Sequence, residues 1–256
     1  MNKLKSIKIA GMVMLVGAIA PAVMASTVVL TQGPYSYSDG GEFTAVTTPT
    51  IVNLGAYSSY TRSGNSFQTF CVQTGTEFQP GDTYDYTVSL ISLGGPGYPG
   101  QSVTLGNQYS YPLSEGAAWL YSQFARGTLA NYDFSNASSD RQTDAGELQA
   151  AIWALQGGQS LSYYPNGGPG NTYYNEAATA LGANVDVAAT LSTDFGVEIM
   201  NLTQYNGGDN GPGYYQNQLV LVPPSPTPSV PDGGLTVALL GGALFGLQGL
   251  RRMSAK

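Results

Sequence analysis

Histidine is absent from this 256-residue chain, cysteine occurs once, and the stretch from Ser26 to Val222 holds no lysine. Each absence excludes a chemistry. Without histidine a Cys-His nucleophile pair cannot exist. One cysteine and no histidine cannot assemble the usual Cys/His zinc site, so no metal or cofactor is expected. Lysine absence rules out Lys-Asn amide cross-links within that stretch. Its cations are Arg62, Arg126 and Arg141, against fifteen acidic residues, which leaves it twelve charges negative. Nucleic acid and anionic membrane surfaces are therefore poor partners for it. The acidic residues are scattered, and no carboxylate pair suited to hydrolysis stands out from their spacing.

Long apolar runs occur only at the ends. Lys3, Lys5 and Lys8 precede an uncharged run from Ile9 to Ala20, then Pro21 to Ala25 leads to Ser26. This is the pattern of a secretory signal peptide over 1–25, cut after Ala25. The run falls short of the roughly 20 residues that an uncleaved spanning anchor would need. Pro223 to Ser229 is a stiff, extended linker. After it come Val230-Pro231-Asp232-Gly233-Gly234, an apolar segment from Leu235 to Leu250, and Arg251-Arg252. Apolar residues followed by cations have the form of a stop-transfer segment.

Between the ends, 26–222 reads as one domain. Short alternating runs at Thr27–Gln32, Glu42–Thr48, Thr50–Leu54, Ser66–Gln73 and Thr83–Ile91 give strand signals, separated by Gly, Pro, Ser and Asp. The period then changes. Pro112 to Phe124 reads as a helix capped by Ser114 and ended by Gly127, after which Asn131–Arg141 reads as a loop. A second helix carries Glu147 to Leu155, capped by Thr143 or Asp144 and stopped at Gly157-Gly158. A third covers Thr172–Leu181. Val197–Thr203 and Gln216–Val222 close the domain as strands. Strands, a helical insertion and strands again make an α+β class. The frequent tyrosines suit a half-exposed sheet face; a sugar-binding aromatic platform is the functional alternative.

Two residues ask for an explanation. Export leads to a compartment where cysteines normally pair, yet Cys71 has no partner in its own chain. It is a buried inert thiol, a link between chains, or part of another covalent bond. Gln149 lies beside the apolar face formed by Leu148, Ile152 and Leu155. Its amide either meets backbone polar groups, as most half-buried glutamines do, or has a special partner.

Phe70-Cys71-Val72 on a strand, followed by Gln149-Ala150-Ala151-Ile152-Trp153 on a helix, resembles the two halves of the bacterial Cys-Gln thioester domain, a surface-adhesin module. The likeness spans roughly residues 50 to 220. Ala150 and Gln73 depart from the family pattern, being smaller and non-acidic respectively. The resemblance implies an antiparallel β-sandwich or barrel whose helical insertion carries the glutamine helix. It further implies a thioester between Cys71 and Gln149, sheltered by Phe70 and Trp153, that reacts once with an amine on a target surface, a protein lysine or an amino sugar. Such a protein is an adhesin and not an enzyme. A thioester is consumed by amines, which gives the missing lysines a purpose, although low-charge secreted domains often lack lysine in any case.

The tail, 230–256, is similar to the PEP-CTERM group of sorting signals in its VPD-S/G-G variant, which implies processing by an exosortase-type membrane protease. With the leader, which implies signal peptidase, it places the protein across the inner membrane, at the cell surface or in extracellular matrix. The C-terminal segment anchors it transiently or, as a tail anchor, permanently. The alternative function is a noncovalent matrix or carbohydrate-binding protein with an inert cysteine.

Overall fold

A computed structural model of the chain describes residues 26–37, 40–49, 57–74, 76–94, 103–105, 108–136, 138–157, 170–190, 194–204 and 213–222. The expected signal peptide, the 50–54 strand, the proline linker, the sorting motif at 230–234 and the cations Arg251 and Arg252 lie outside the described residues. In chain order the strands are β1 (Thr27–Tyr37), β2 (Gly40–Thr48), β3 (Arg62–Ser63), β4 (Ser66–Thr69), β5 (Thr83–Ser89), β6 (Ile91–Leu93), β7 (Val103–Leu105), β8 (Gln108–Pro112), β9 (Val197–Gln204), β10 (Gly213–Tyr214) and β11 (Gln218–Leu221). Among the described residues, three α-helices stand between β8 and β9: α1 (Glu115–Arg126), α2 (Ser139–Leu155) and α3 (Thr172–Leu181). The class is α+β with antiparallel pairing. No helix among the described residues is long and apolar enough to cross a membrane.

The larger sheet grows from a hairpin. Val28 and Leu30 of β1 face Thr47 and Ala45 of β2, and all four side chains are buried. Side chains alternate along a strand, so one face of this ribbon is committed to the core. β1 then pairs with β5 and β5 with β9, while β2 pairs with β4. The far edge of β9 takes β10 and β11. Beyond Thr69 the chain continues to Cys71, which forms a bridge opposite Gln218. Val72 N–H donates to the Asn217 carbonyl at 2.9 Å, and Leu219 N–H to the Phe70 carbonyl at 3.0 Å. The pairings thus run β1, β2, β4, Phe70–Val72, β11, β9, β5 and back to β1. Cys71 sits on the seam where this circuit closes.

One expected strand divides in two. Thr83–Ile91 breaks after Ser89, and its continuation as β6 joins the smaller sheet, β6-β8-β7. The buried amide of Asn201 holds the corner, donating to Ser89 Oγ and the Ile91 carbonyl and accepting from Leu93 N–H. This Asn201 is the first residue of a glycosylation-like tripeptide, and its burial leaves no room for a sugar.

α1 and α3 begin and end close to where local signals place them. Ser114 caps α1, Gly127 ends it in the left-handed conformation at φ 70°, and Asn171 caps α3. α2 differs from expectation. It starts at Ser139, capped by Ser138, whose hydroxyl accepts from Asp140 N–H and Arg141 N–H. Asp144 turns away from any capping role and accepts from Asp133 N–H at 2.7 Å. Nor does the C-terminal half of α2 expose a side: every residue from Leu148 to Trp153 is buried. β1 and β2 pack on part of its surface and α1 and α3 on the rest. Burying Leu148 and Ile152 fully stabilises this docking by about 1.5–3 kcal/mol each.

Candidate functional site

Cys71 and Gln149 meet through the backbone of one and the side chain of the other. Cys71 N–H donates to Gln149 Oε1 at 2.9 Å, and Gln149 Nε2 donates to the Cys71 carbonyl at 2.8 Å. The physical origin is a missing rung in the ladder. The β2 to β4 register ends with Phe43 opposite Thr69; continued, it would set Gly41 against Cys71. No such bridge forms: the β1–β2 ladder is itself irregular there, shifting register between Gln32 and Ser36, with Gly41 opposite Ser36. The N–H and C=O of Cys71 on that edge would be left dry and unpaired, at about 1–3 kcal/mol for each orphaned group. The Gln149 carboxamide, a side-chain copy of a peptide group, fills the gap. Gln149 is thus interior, at 1% exposure, and not at the edge of its helix face.

Close packing holds the amide there. Gly40 lies against it: a Cβ at that position would come within 2.6 Å of Gln149 Cγ and 3.0 Å of Trp153 Cη2. Gly146 leaves similar room for the ring of Tyr37. The hairpin end of β1 and β2 therefore lies directly on the turn of α2 that carries Gln149, and Gln142 Nε2 ties it down by donating to the Ser36 carbonyl. Trp153 is buried beside Gly40 and Gln149. Phe70 points across the strand to α1, with its ring edge-on to Phe124 at 4.9 Å.

On the opposite edge of Cys71 stands Gln218. The two residues are bridge partners, and Gln218 Nε2 lies 3.4 Å from Cys71 Sγ. The cysteine is fully enclosed, and burial pushes its thiol up to about 12, with the Gln218 hydrogen bond pulling the other way. At neutral pH it is a protonated thiol.

An ion pair that sequence reasoning missed fixes the position of α2. Arg141, placed by sequence in a loop, is 1% exposed on the first turn of the helix, and Glu42 on β2 is 0% exposed. The guanidinium meets the carboxylate in a fork: Nε to Oε1 at 2.7 Å and Nη2 to Oε2 at 2.8 Å. It also donates to the carbonyls of Phe134 and Tyr60, and lies 4.1 Å from the Tyr35 ring centroid. Tyr132 donates its hydroxyl to the same carboxylate. Burial raises the Glu42 carboxyl, and Arg141 opposes that rise. The arginine, in turn, is held above its ordinary value by Glu42 although burial alone would lower it. The satisfied fork favours the charged pair. Ninety-nine residues separate the partners, so no local pattern could reveal them.

Gln73, two residues beyond Cys71, also has a structural explanation. Its Oε1 accepts from Ser92 Oγ at 2.8 Å, Tyr111 Oη at 2.8 Å and Asn217 Nδ2 at 3.1 Å. Asn217 reaches on to the Leu93 carbonyl and Asn201. A neutral amide, which accepts and donates at once, suits this enclosed network. It joins the segment after Cys71 to the smaller sheet.

No group of three or more His, Cys, Asp or Glu able to hold a metal ion occurs among the described residues. Two cavities lie away from Cys71. One of about 580 Å³ runs between α1 and α3, beside Trp119, Asn131 and Glu176, and one of about 240 Å³ adjoins Gln156 and Asp186. No family model matches this chain, nor does any curated protein or solved structure.

Proposed function

We propose that this protein is an exported adhesin of the thioester type, in which Cys71 and Gln149 condense and the resulting bond captures an amine on a target surface. The observation that carries this reading is the two-point docking of the Gln149 amide on Cys71 in a dry interior. Nucleophilic acyl chemistry between two weak partners depends above all on positioning, and held geometry can replace a large part of the barrier. Here the carboxamide is fixed on the residue that bears the thiol. On this reading the larger sheet, whose pairings close on themselves, is the antiparallel barrel of the domain, and α1 to α3 are its insertion. The leader at 1–25 and the sorting tail at 230–256 would deliver it to the cell surface or matrix, with signal peptidase and an exosortase-type protease as processing partners.

The bond is used once. An amine, from a protein lysine or an amino sugar, attacks the Gln149 carbonyl carbon, and the sulfur leaves. The absence of lysine between Ser26 and Val222 spares the bond from attack by the domain itself.

A second reading has its own observation. Cys71 is fully enclosed and its thiol strongly disfavours ionisation, as in an inert core cysteine, and Gln149 is satisfied like any buried amide. The protein would then be a noncovalent matrix or carbohydrate-binding component. Intact-mass measurement on the full chain separates the two. The thioester requires a deficit of about 17 Da from lost ammonia and a methylamine adduct that Cys71→Ala abolishes. The full encoded mass, with no adduct, would leave the noncovalent reading standing.

A further inference from the structure

Gln218 is the buried amide nearest the sulfur that has an unused atom. Its Nε2 donates to Cys71 Sγ at 3.4 Å and to the Gln216 carbonyl at 3.2 Å. Its Oε1 is buried with no hydrogen-bond partner among the described residues, and the residue is 0% exposed. A dry, orphaned carbonyl oxygen is costly, and natural interiors rarely keep one without a use. The position is also forced: the strand bridge sets Gln218 directly opposite Cys71, and opposed residues extend their side chains to the same face. Cys71 thus has one carboxamide on its backbone edge and a second one on its sulfur.

We infer that Gln218 is a catalytic residue of the Cys71–Gln149 site, one that bonds the reacting sulfur with its Nε2–H and receives a nitrogen-bound hydrogen on its Oε1. This rests on the thioester reading. In the forming step a bond arises between Cys71 Sγ and Gln149 Cδ, the Cδ–Nε2 bond of Gln149 breaks, and the thiol proton leaves with the nitrogen as ammonia. In the capture step an amine nitrogen bonds to Cδ, the Cδ–Sγ bond breaks, and the amine proton ends on Sγ. Sulfur takes on negative charge twice, as its proton is drawn off ahead of the attack and again as the Cδ–Sγ bond breaks in capture. A fixed N–H donor in a fully buried site stabilises that charge without reorganisation. The raised thiol ionisation makes such a donor more necessary, because burial disfavours the thiolate and the Gln218 hydrogen bond is what opposes that rise. The nitrogen that departs or arrives carries hydrogens, and Gln218 Oε1 is the unsatisfied acceptor on the side chain that holds the sulfur to which that nitrogen must come close.

The test uses the full chain, methylamine as the probe, and intact mass with peptide mapping. Wild type should carry the deficit of about 17 Da, Cys71→Ala and Gln149→Ala should lack it, and Gln218→Leu should react with methylamine about tenfold more slowly or worse. Gln218→Glu preserves size and supplies a donor only when its carboxyl is protonated. Its rate relative to wild type should rise as pH falls, and taking that ratio cancels the protonation of the amine. Val220→Ala, a cavity on the same strand, should leave the rate unchanged and so separates packing loss from the loss of a donor. Equal rates in wild type and in both Gln218 variants would overturn the assignment while leaving the thioester intact. A deficit that survives Gln149→Ala and vanishes in Gln218→Leu would make Gln218 the acyl partner and overturn the assigned role. A wild type of full encoded mass removes the thioester reading itself, and the role with it.

Discussion

Gly40 and Gln149 are packed so closely that a single methyl group on Gly40 would lie 2.6 Å from Gln149 Cγ. The contact joins the end of the β1–β2 hairpin to the one turn of α2 whose amide reaches Cys71. Gly40→Ala should therefore push Gln149 off the Cys71 backbone and destabilise the fold by about 1–3 kcal/mol, the usual cost of overfilling a packed interior. Denaturant unfolding reads the stability, and the fraction of chain lacking ammonia reads the displacement. Unchanged stability together with a full mass deficit would show that the hairpin end yields freely.

Among the described residues, Glu42 and Arg141 are each the other's only counter-ion, in a buried fork. Glu42→Leu or Arg141→Met alone should cost about 3–5 kcal/mol, because the surviving charge is stranded without solvent. Glu42→Leu with Arg141→Met should cost clearly less than the two single changes added together. Additive losses in the double-mutant cycle would mean that the two side chains do not depend on one another.

Gln73→Leu removes the acceptor shared by Ser92, Tyr111 and Asn217. Orphaning those donors should cost about 2–4 kcal/mol, read as a lower denaturation midpoint at unchanged slope. Gln73→Glu should be tolerated better, since it keeps the accepting oxygen, though it brings a charge indoors. A Leu variant as stable as wild type would sink the view that this network holds the smaller sheet to the strand seam.

Stability should fall in alkali. Burial raises Tyr57, Tyr121 and Tyr132 above the ordinary tyrosine value, while in the unfolded chain they ionise near 10. A group with a raised folded value contributes its full stability below the unfolded value. Above about 10 the unfolded chain sheds protons that the folded one retains, so the balance moves toward unfolding. Tyrosinate absorbance should accordingly rise in one cooperative step with loss of the far-ultraviolet circular dichroism signal. A gradual titration of the buried tyrosines with the fold intact would contradict it.

Local signals made much of this fold legible. The alternating runs of β1, β2, β9 and β11 and the cap at Ser114 depend on neighbours within a few residues, where pattern and propensity act directly. The start of α2 was hidden because Ser138, Thr143 and Asp144 are all competent caps. Only the loop packed against them, with Asp133 bonded to Asp144, decides among the three.

By itself, the sequence determined which chemistries are missing, the α+β order, and that the lone cysteine and the glutamine helix were worth pairing. Tertiary structure decided the rest. It set Gln149 on the backbone edge of Cys71, Gln218 on its sulfur, and Arg141 against Glu42. Those relations join residues 78, 147 and 99 positions apart. They arise where β2 leaves the ladder and the sheet closes, and long-range register of that kind leaves no periodic trace in a single chain.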